Sequence, residues 1–391
     1  MTPPAPDEPA STGMVDREEV RVSTLELFFD LVFVFTITQL TALLVHDPSG
    51  TSLGQIALML TAIWWMYGAF AWLTNAVPPD RIALQMPLLA GMAAFFAISL
   101  TIPTAFSGDG VVFACGYLAV IIIHTALYTQ SATWSVASVW SFARMNLLAA
   151  GLILAGTIIG GTWEYVLWGL AIPIFAITPA LVPESAGWIR PSHFVERHGL
   201  VVIVALGESV VAVGIGASGL EINGELLLVA VLGLALSAEL WWVYFGGDDE
   251  EAEGALLAMR PTKRQFIAAN AAYYWAHLLL LLGIVSVAAG LEHAIGHAFD
   301  SLEFALALAL GGGTAVYFLG HALFRLFLGL RFRPWRGLAA VLALATIPLG
   351  TEASALAQLA VLVAALGLCL AVEGAPAEGE ARAPAQAPVR S

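Results

Sequence analysis

The chain has 391 residues, 59% of them hydrophobic and only 11% charged, with a formal net charge of -14 at pH 7. A soluble domain carries about 25% charged residues, and no soluble core of this size could hide so much apolar surface, so a soluble enzyme or binding module is excluded. The apolar residues arrive in blocks of about twenty, enough for a helix to cross roughly 30 Å of hydrocarbon, and not as the alternating segments of about ten that a barrel requires. The expected fold class is an all-α polytopic membrane protein of about twelve transmembrane helices.

In chain order, residues 1–20 read as a disordered cytoplasmic tail rich in Pro, Ala and Glu. Six spans follow, at 25–45, 53–74, 84–104, 111–130, 137–159 and 163–182, within a first unit of residues 21–182. A cytoplasmic linker at 183–198 leads to six more spans, at 199–218, 226–246, 266–289, 302–328, 337–350 and 353–373, in a second unit of residues 199–373. Residues 374–391 form another disordered cytoplasmic tail. The first span is too long for a signal-peptide core and lacks a small-residue cleavage pattern, so no cleaved leader is expected.

Charge supports the count, including the short eleventh span. With twelve spans all fifteen Lys and Arg residues fall in the termini, the alternate loops or the adjoining helix turns, among them Arg81, Arg144, Arg190, Arg260, Lys263, Arg331, Arg333 and Arg336. The other loops carry only acids, from Asp47 and Asp109 to Glu292, Asp300 and Glu352. The positive-inside rule then places both termini in the cytoplasm.

The second half echoes the first. Trp64, Trp65 and Tyr67 recur as Trp241, Trp242 and Tyr244; Arg81 precedes the third span as Arg264 precedes the ninth. Gly116 and His124 match Gly313 and His321, Arg144 matches Arg336, and Gly160 to Glu164 find an echo in Gly350, Thr351 and Glu352. An ordered set of this kind predicts a parallel six-plus-six internal repeat about an axis along the membrane normal.

Ionisable side chains inside a span cost about 2.5 to 3.5 kcal/mol on insertion scales, so they face a bundle interior or a wet cavity and mark candidate pathways. Glu26 and Asp30 share a face of the first span, with Gln39 deeper. His193, Glu196, Arg197 and His198 open the seventh span, which carries Glu208 and Ser209 farther in. Glu239, His124, Asn146, Asn270, His277, His321 and Arg325 complete the set. Most lie in the cytoplasmic half and suggest a vestibule open to that side. Glu208, about 13 Å deep, is expected to face the protein interior, with neither Arg144 nor Arg325 able to reach it.

Bland readings stand beside these. Glu26, Arg197, His198 and Arg325 can snorkel or form structural ion pairs, Asp30 can pair with an Arg of a neighbouring helix, and His124 and His321 can bond a carbonyl. The Trp and Tyr pairs read as packing and interface anchors. Ala205, Gly207, Ser209, Ala212, Gly214 and Gly216 allow a close helix approach, and Gly311, Gly312 and Gly313 mark either a broken helix or a tight crossing. Cys115 and Cys369 fall inside spans as packing residues. His293 and His297 lie in a loop lacking the motif of a metal site, and no enzyme signature, cofactor motif or nucleic-acid patch is present.

The stretches RVSTLELFFDLVFVF (21–35) and HFVERHGLVVIVALGESVVAVG (193–214), with LWWVYF at 240–245, resemble the bacterial low-temperature-requirement A family over most of residues 21 to 373. The resemblance implies a polytopic inner-membrane protein with a growth role in the cold. ELFFDLVFVFTIT is also similar, more distantly, to the first helix of the six-helix-repeat endolysosomal potassium and proton channels. That likeness implies a pore-lining Phe29 and Asp30, although the Ser of the motif is absent and no counterpart stands near Leu200. The leading expectation is a proton-coupled transporter or a cation or proton pathway for an unidentified small solute or ion, with the bilayer as partner and self-association left open. The alternatives are a non-transporting scaffold or lipid-interacting protein and, third, a membrane enzyme.

Overall fold

The computed structural model describes residues 22–130, 135–181, 189–260 and 262–374. The expected tails up to residue 20 and from 375, with Arg17, Arg382 and Arg390, as well as Arg21 and residues 183–188 of the expected linker, lie outside the described residues; from Pro191 that linker is instead the start of a helix. The described chain is helical: α1 Thr24–His46, α2 Gly50–Ala76, α3 Ile82–Thr101, α4 Gly110–Tyr128, α5 Val136–Ile159, α6 Thr162–Leu181, α7 Pro191–Gly216, α8 Gly224–Phe245, α9 Asp248–Ala258, α10 Lys263–Asn270, α11 His277–Gly296, α12 Phe304–Leu328, α13 Pro334–Ala345, α14 Ile347–Glu352 and α15 Ala355–Gly374. A π-helical turn, Ala271–Ala276, joins α10 to α11.

Local chemistry sets the helix starts. Ser23 and Glu26 form a capping box at α1, while Ser49, Ser135 and Asn223 accept from the first-turn amides of α2, α5 and α8. Along the helices the usual soluble pattern is reversed. Leu27, Phe28 and Leu31 of α1, or Val231 and Leu234 of α8, are exposed, while Glu26, Asp30 and Thr36 are buried. Apolar residues all round a helix suit one that meets lipid on one side and protein on the other.

Eleven helical stretches among the described residues are long and apolar enough to cross a membrane. The span expected at 337–350 is the difference: it is built from two short helices, α13 and α14, broken around Thr346, with Pro348 unable to donate in the first turn of α14. The broken pair still runs the length of α12. Arg336, in its first turn, bonds the Val243 carbonyl at the end of α8, whereas the Gly350 carbonyl accepts from Leu302 just before α12 at 2.8 Å. The nineteen residues from Pro334 to Glu352 cover about 28 Å as helix.

Neighbours follow one order in each half. α1 packs on α2 and α3, α3 on α4, α4 on α5, α5 on α6, and α2 on α4 and α6; α7 packs on α8 and α11, α11 on α12, α12 on α13, α13 and α14 on α15, and α8 on α12 and α15. The halves meet where α1 lies against α7 and α11.

The tightest crossing is α11 on α12. A Cβ on Gly283 would sit 2.7 Å from the Gly313 carbonyl oxygen, and one on Gly313 would sit 3.0 Å from the Gly283 oxygen. Gly311, Gly312 and Gly313 therefore do not break a helix; α12 runs through them, with Gly311 against the Ala343 carbonyl of α13 and Gly313 against the backbone of α11. On α7 the small residues divide. Ala205, Ser209 and Ala212 are fully buried and Gly216 lies against the backbone of Glu292, but Gly207 and Gly214 face open space and serve no such approach.

Candidate functional site

The first turns of α1 and α7 lie side by side and bring together residues 167 positions apart. Arg197 donates from Nη2 to Asp30 Oδ1 at 3.0 Å, and its Nη1 lies 4.0 Å from Glu26 Oε1. His193 Nε2 stands 3.3 Å from the same Glu26 oxygen. From α2, the Tyr67 hydroxyl donates to Asp30 Oδ1, and Asn75 holds His193 Nδ1 at 3.3 Å while its own carbonyl oxygen accepts from the Arg190 amide at 2.9 Å. The guanidinium also lies 5.9 Å from the Phe29 ring and 5.8 Å from the Tyr67 ring.

Two carboxylates thus share one guanidinium in a place where all three side chains are almost wholly buried. Asp30 Oδ2, Arg197 Nε and Arg197 Nη1 have no hydrogen-bond partner among the described residues. Pairing Arg197 with one acid leaves the other needing a further positive charge, because an isolated charge in an apolar interior is strongly disfavoured. That charge can be a proton on His193, Glu26 or Asp30, or a cation. Glu26 also caps α1, accepting from the Ser23 amide at 2.9 Å. The start of the helix and the state of the cluster therefore depend on one carboxylate.

Farther along the same seam Thr38 of α1 donates to Glu208 Oε2 of α7 at 2.6 Å. Glu208 is 2% exposed, facing inward as expected, and no basic side chain forms an ion pair with it among the described residues. Eight residues of α1 separate Asp30 from Thr38, about 12 Å of rise. The interval is apolar: Phe33 and Ile37 of α1 and Val201, Val202 and Ala205 of α7 are all buried. Ser209, next to Glu208, is fully buried, and its hydroxyl has no hydrogen-bond partner among the described residues.

The other singled-out residues scatter. Glu239 does not join Asp30 and Glu208; it lies in a groove of about 480 Å³ between α8 and α15, beside Trp242 and Gly367. Glu196 is exposed and lines a groove with Asp249, Glu250 and Glu253. Gln39 is half-buried on α1. His277 contacts the Tyr244 hydroxyl at 2.9 Å and the Ala272 carbonyl, five residues back across the π-turn, at 2.9 Å. His124 bonds the Ala69 carbonyl at 3.1 Å, and Asn146 accepts from Trp65 at 2.6 Å. His293 and His297 stack at 4.9 Å, with His297 3.2 Å from Asp300 at the opposite end of the bundle. Trp64 and Trp65 are buried, whereas their sequence counterparts Trp241 and Trp242 are exposed.

His321 and Arg325 belong to a second charged cluster centred on Asp248. That carboxylate is completely buried and meets His321 at 2.7 Å, Arg325 at 2.7 Å, Arg336 at 2.8 Å and Arg333 at 3.2 Å. Glu251 and Glu373 neutralise the remaining positive charge, at 2.8 Å from Arg325 and 2.9 Å from Arg336. Three acids answer three Arg residues, so this knot is balanced, and it ties α9, α12, α13 and α15 together. Sequence reading missed Asp248, because an Asp-Asp-Glu-Glu run after an apolar span reads as a solvated loop. Tyr67 was read as packing, and only the fold places its hydroxyl on Asp30.

A family model described as bacterial low temperature requirement A protein matches residues 21–372. An uncharacterized protein of Rhizobium meliloti (strain 1021) is 29% identical over 325 residues, covering 78% of this chain and 77% of the relative. No solved structure matches the chain. The two stretches with the most distinctive sequence, 21–35 and 193–214, are the ones that meet as the α1–α7 seam, and the chain belongs to the bacterial low temperature requirement A family.

Proposed function

We propose that the protein moves protons or small cations across the bacterial inner membrane, as a proton-coupled transporter or a proton or cation pathway, along the seam between α1 and α7. The observation that carries this reading is the uncompensated cluster of Glu26, Asp30 and Arg197, which takes up one more positive charge to balance. Glu208 supplies a second carboxylate on the same seam, and the apolar interval of Phe33, Ile37, Val201 and Val202 keeps the two sites from connecting without movement or water entry. A separated pair of this kind suits stepwise transfer more than an open pore.

The one-sided Lys and Arg distribution supports cytoplasmic termini, which would put the Asp30 cluster nearer the cytoplasm. The matching order of helix neighbours in the two halves supports the parallel repeat, with α1 and α7 as equivalent first helices.

The test is flux. Purified protein in proteoliposomes, with an imposed pH or potassium gradient, should carry protons or cations at a rate that falls at least tenfold in Asp30→Asn and in Glu208→Gln, each with a wild-type elution profile and helix content at the assay temperature. Wild-type protein without flux under any gradient would defeat the reading, and unchanged flux with wild-type pH dependence in Glu208→Gln would remove Glu208 from it.

A further inference from the structure

On the side of α7 next to the seam lies a cavity of about 40 Å³ where the two halves meet, bounded by α2, α4, α5, α6, α7 and the α10–α11 connection. It has room for about three water-sized spheres. Among the described residues no Asp, Glu, Lys or Arg lines it. Its walls are aromatic, with Trp65, Trp72, Phe266, Tyr273 and Tyr274 among them, and its polar groups include His124, His198, Asn270 and the Tyr273 hydroxyl, which has no partner among the described residues.

Each imidazole is bonded to a backbone carbonyl. His124 Nε2 bonds the Ala69 carbonyl at 3.1 Å, and His198 Nδ1 bonds the Phe194 carbonyl at 2.8 Å. A carbonyl only accepts, so each of these nitrogens carries the hydrogen, and in the neutral ring the other nitrogen is a bare lone pair. His124 Nδ1, His198 Nε2 and the Asn270 amide have no hydrogen-bond partner among the described residues, and packed rings hold both imidazoles in place: Tyr128 lies 4.8 Å from His124, and Tyr273 lies 4.8 Å from His198.

The cavity therefore offers two imidazole lone pairs in an aromatic wall, with no fixed charge among the described residues. Ring faces attract cations, and imidazole lone pairs require a hydrogen-bond donor. A sodium ion supplies no donor and strips its water at high cost; an anion could use the donors of Asn270 and Tyr273 but would face both imidazole lone pairs and find no fixed positive charge among the described residues. We propose that this cavity binds a small hydrogen-bond-donating monovalent cation of the ammonium or methylammonium class, between His124 and His198. The site stands whether or not ions cross the membrane along the α1–α7 seam.

Binding of radiolabelled methylammonium to the purified full chain in detergent, at constant ionic strength, tests this directly. Saturable binding is expected, displaced by ammonium but not by sodium or tetramethylammonium, which lack N–H donors. The affinity should fall at least tenfold in His124→Phe and in His198→Phe and rise in Asn270→Asp, which adds a negative charge at the wall. The gain in the last variant cannot come from misfolding. In protein labelled with nitrogen-15 at histidine, ammonium should shift the unprotonated nitrogens of both rings. Absence of saturable binding to wild-type protein would mean that the cavity holds water only and would overturn the proposal. Equal displacement by sodium would overturn it too, as unspecific attraction.

Discussion

Replacing Arg197 with Met keeps most of the side-chain volume and removes the charge that Glu26 and Asp30 share. The structure sets the size of the effect. Arg197 bonds Asp30 at 3.0 Å, stands 4.0 Å from Glu26 and lies over two aromatic rings, all of it buried. Stranding the partner of a buried ion pair costs about 3–5 kcal/mol, and here two carboxylates are stranded together, so the loss should lie near 5. Asp30→Asn alone should cost less, about 1.5–3 kcal/mol for hydrogen bonds to a charged group, because the guanidinium keeps Glu26. In the double variant the strongest pair is gone from both sides, and the total loss should fall short of the sum by about 1–3 kcal/mol. The assay is reversible unfolding in mixed micelles, followed by circular dichroism across an SDS series for wild type, both single variants and the double. Losses that add to within about 0.5 kcal/mol would show that Arg197 and Asp30 are not coupled and would refute the cluster as drawn. Arg197→Lys should recover only part of the loss, since an ammonium cannot reproduce the planar fork against Asp30 and the rings.

Gly283→Ala places a methyl against the backbone of α12, 2.7 Å from the Gly313 oxygen and 2.8 Å from the Tyr317 nitrogen, and should destabilise by about 1–3 kcal/mol, whereas Gly207→Ala, on an open face, should leave the same melting curve almost unmoved. Equal effects would mean that α11 and α12 are farther apart than described. For topology, single cysteines at Ser107 and at the exposed Leu257 should be labelled from opposite sides of the membrane by an impermeant reagent; labelling of both from one side would defeat the assignment of ends.

Some of this was legible in the chain alone. Twenty-residue apolar blocks and segregated Lys and Arg fix the spans and their alternation, because the bilayer imposes a length and a charge rule on each segment separately. The same logic picked out Glu26, Asp30, Arg197 and Glu208, since a charge in a span is conspicuous wherever its partner lies. The partners themselves were hidden. Asp30 meets Arg197 across 167 positions and Thr38 meets Glu208 across 170, and only the packing of α1 on α7 makes those meetings. Tertiary structure also decided the triple glycine in favour of a close crossing, made the expected eleventh span a pair of short helices, and sent Glu239 to a separate groove. It drew Asp248 out of an apparent loop into the centre of a balanced ion cluster, because a fixed carboxylate becomes visible as such only when the Arg residues of α12 and α13 close around it. What a residue must avoid is written in the sequence one segment at a time. What it finds instead depends on which helices are neighbours, and that is a property of the whole bundle.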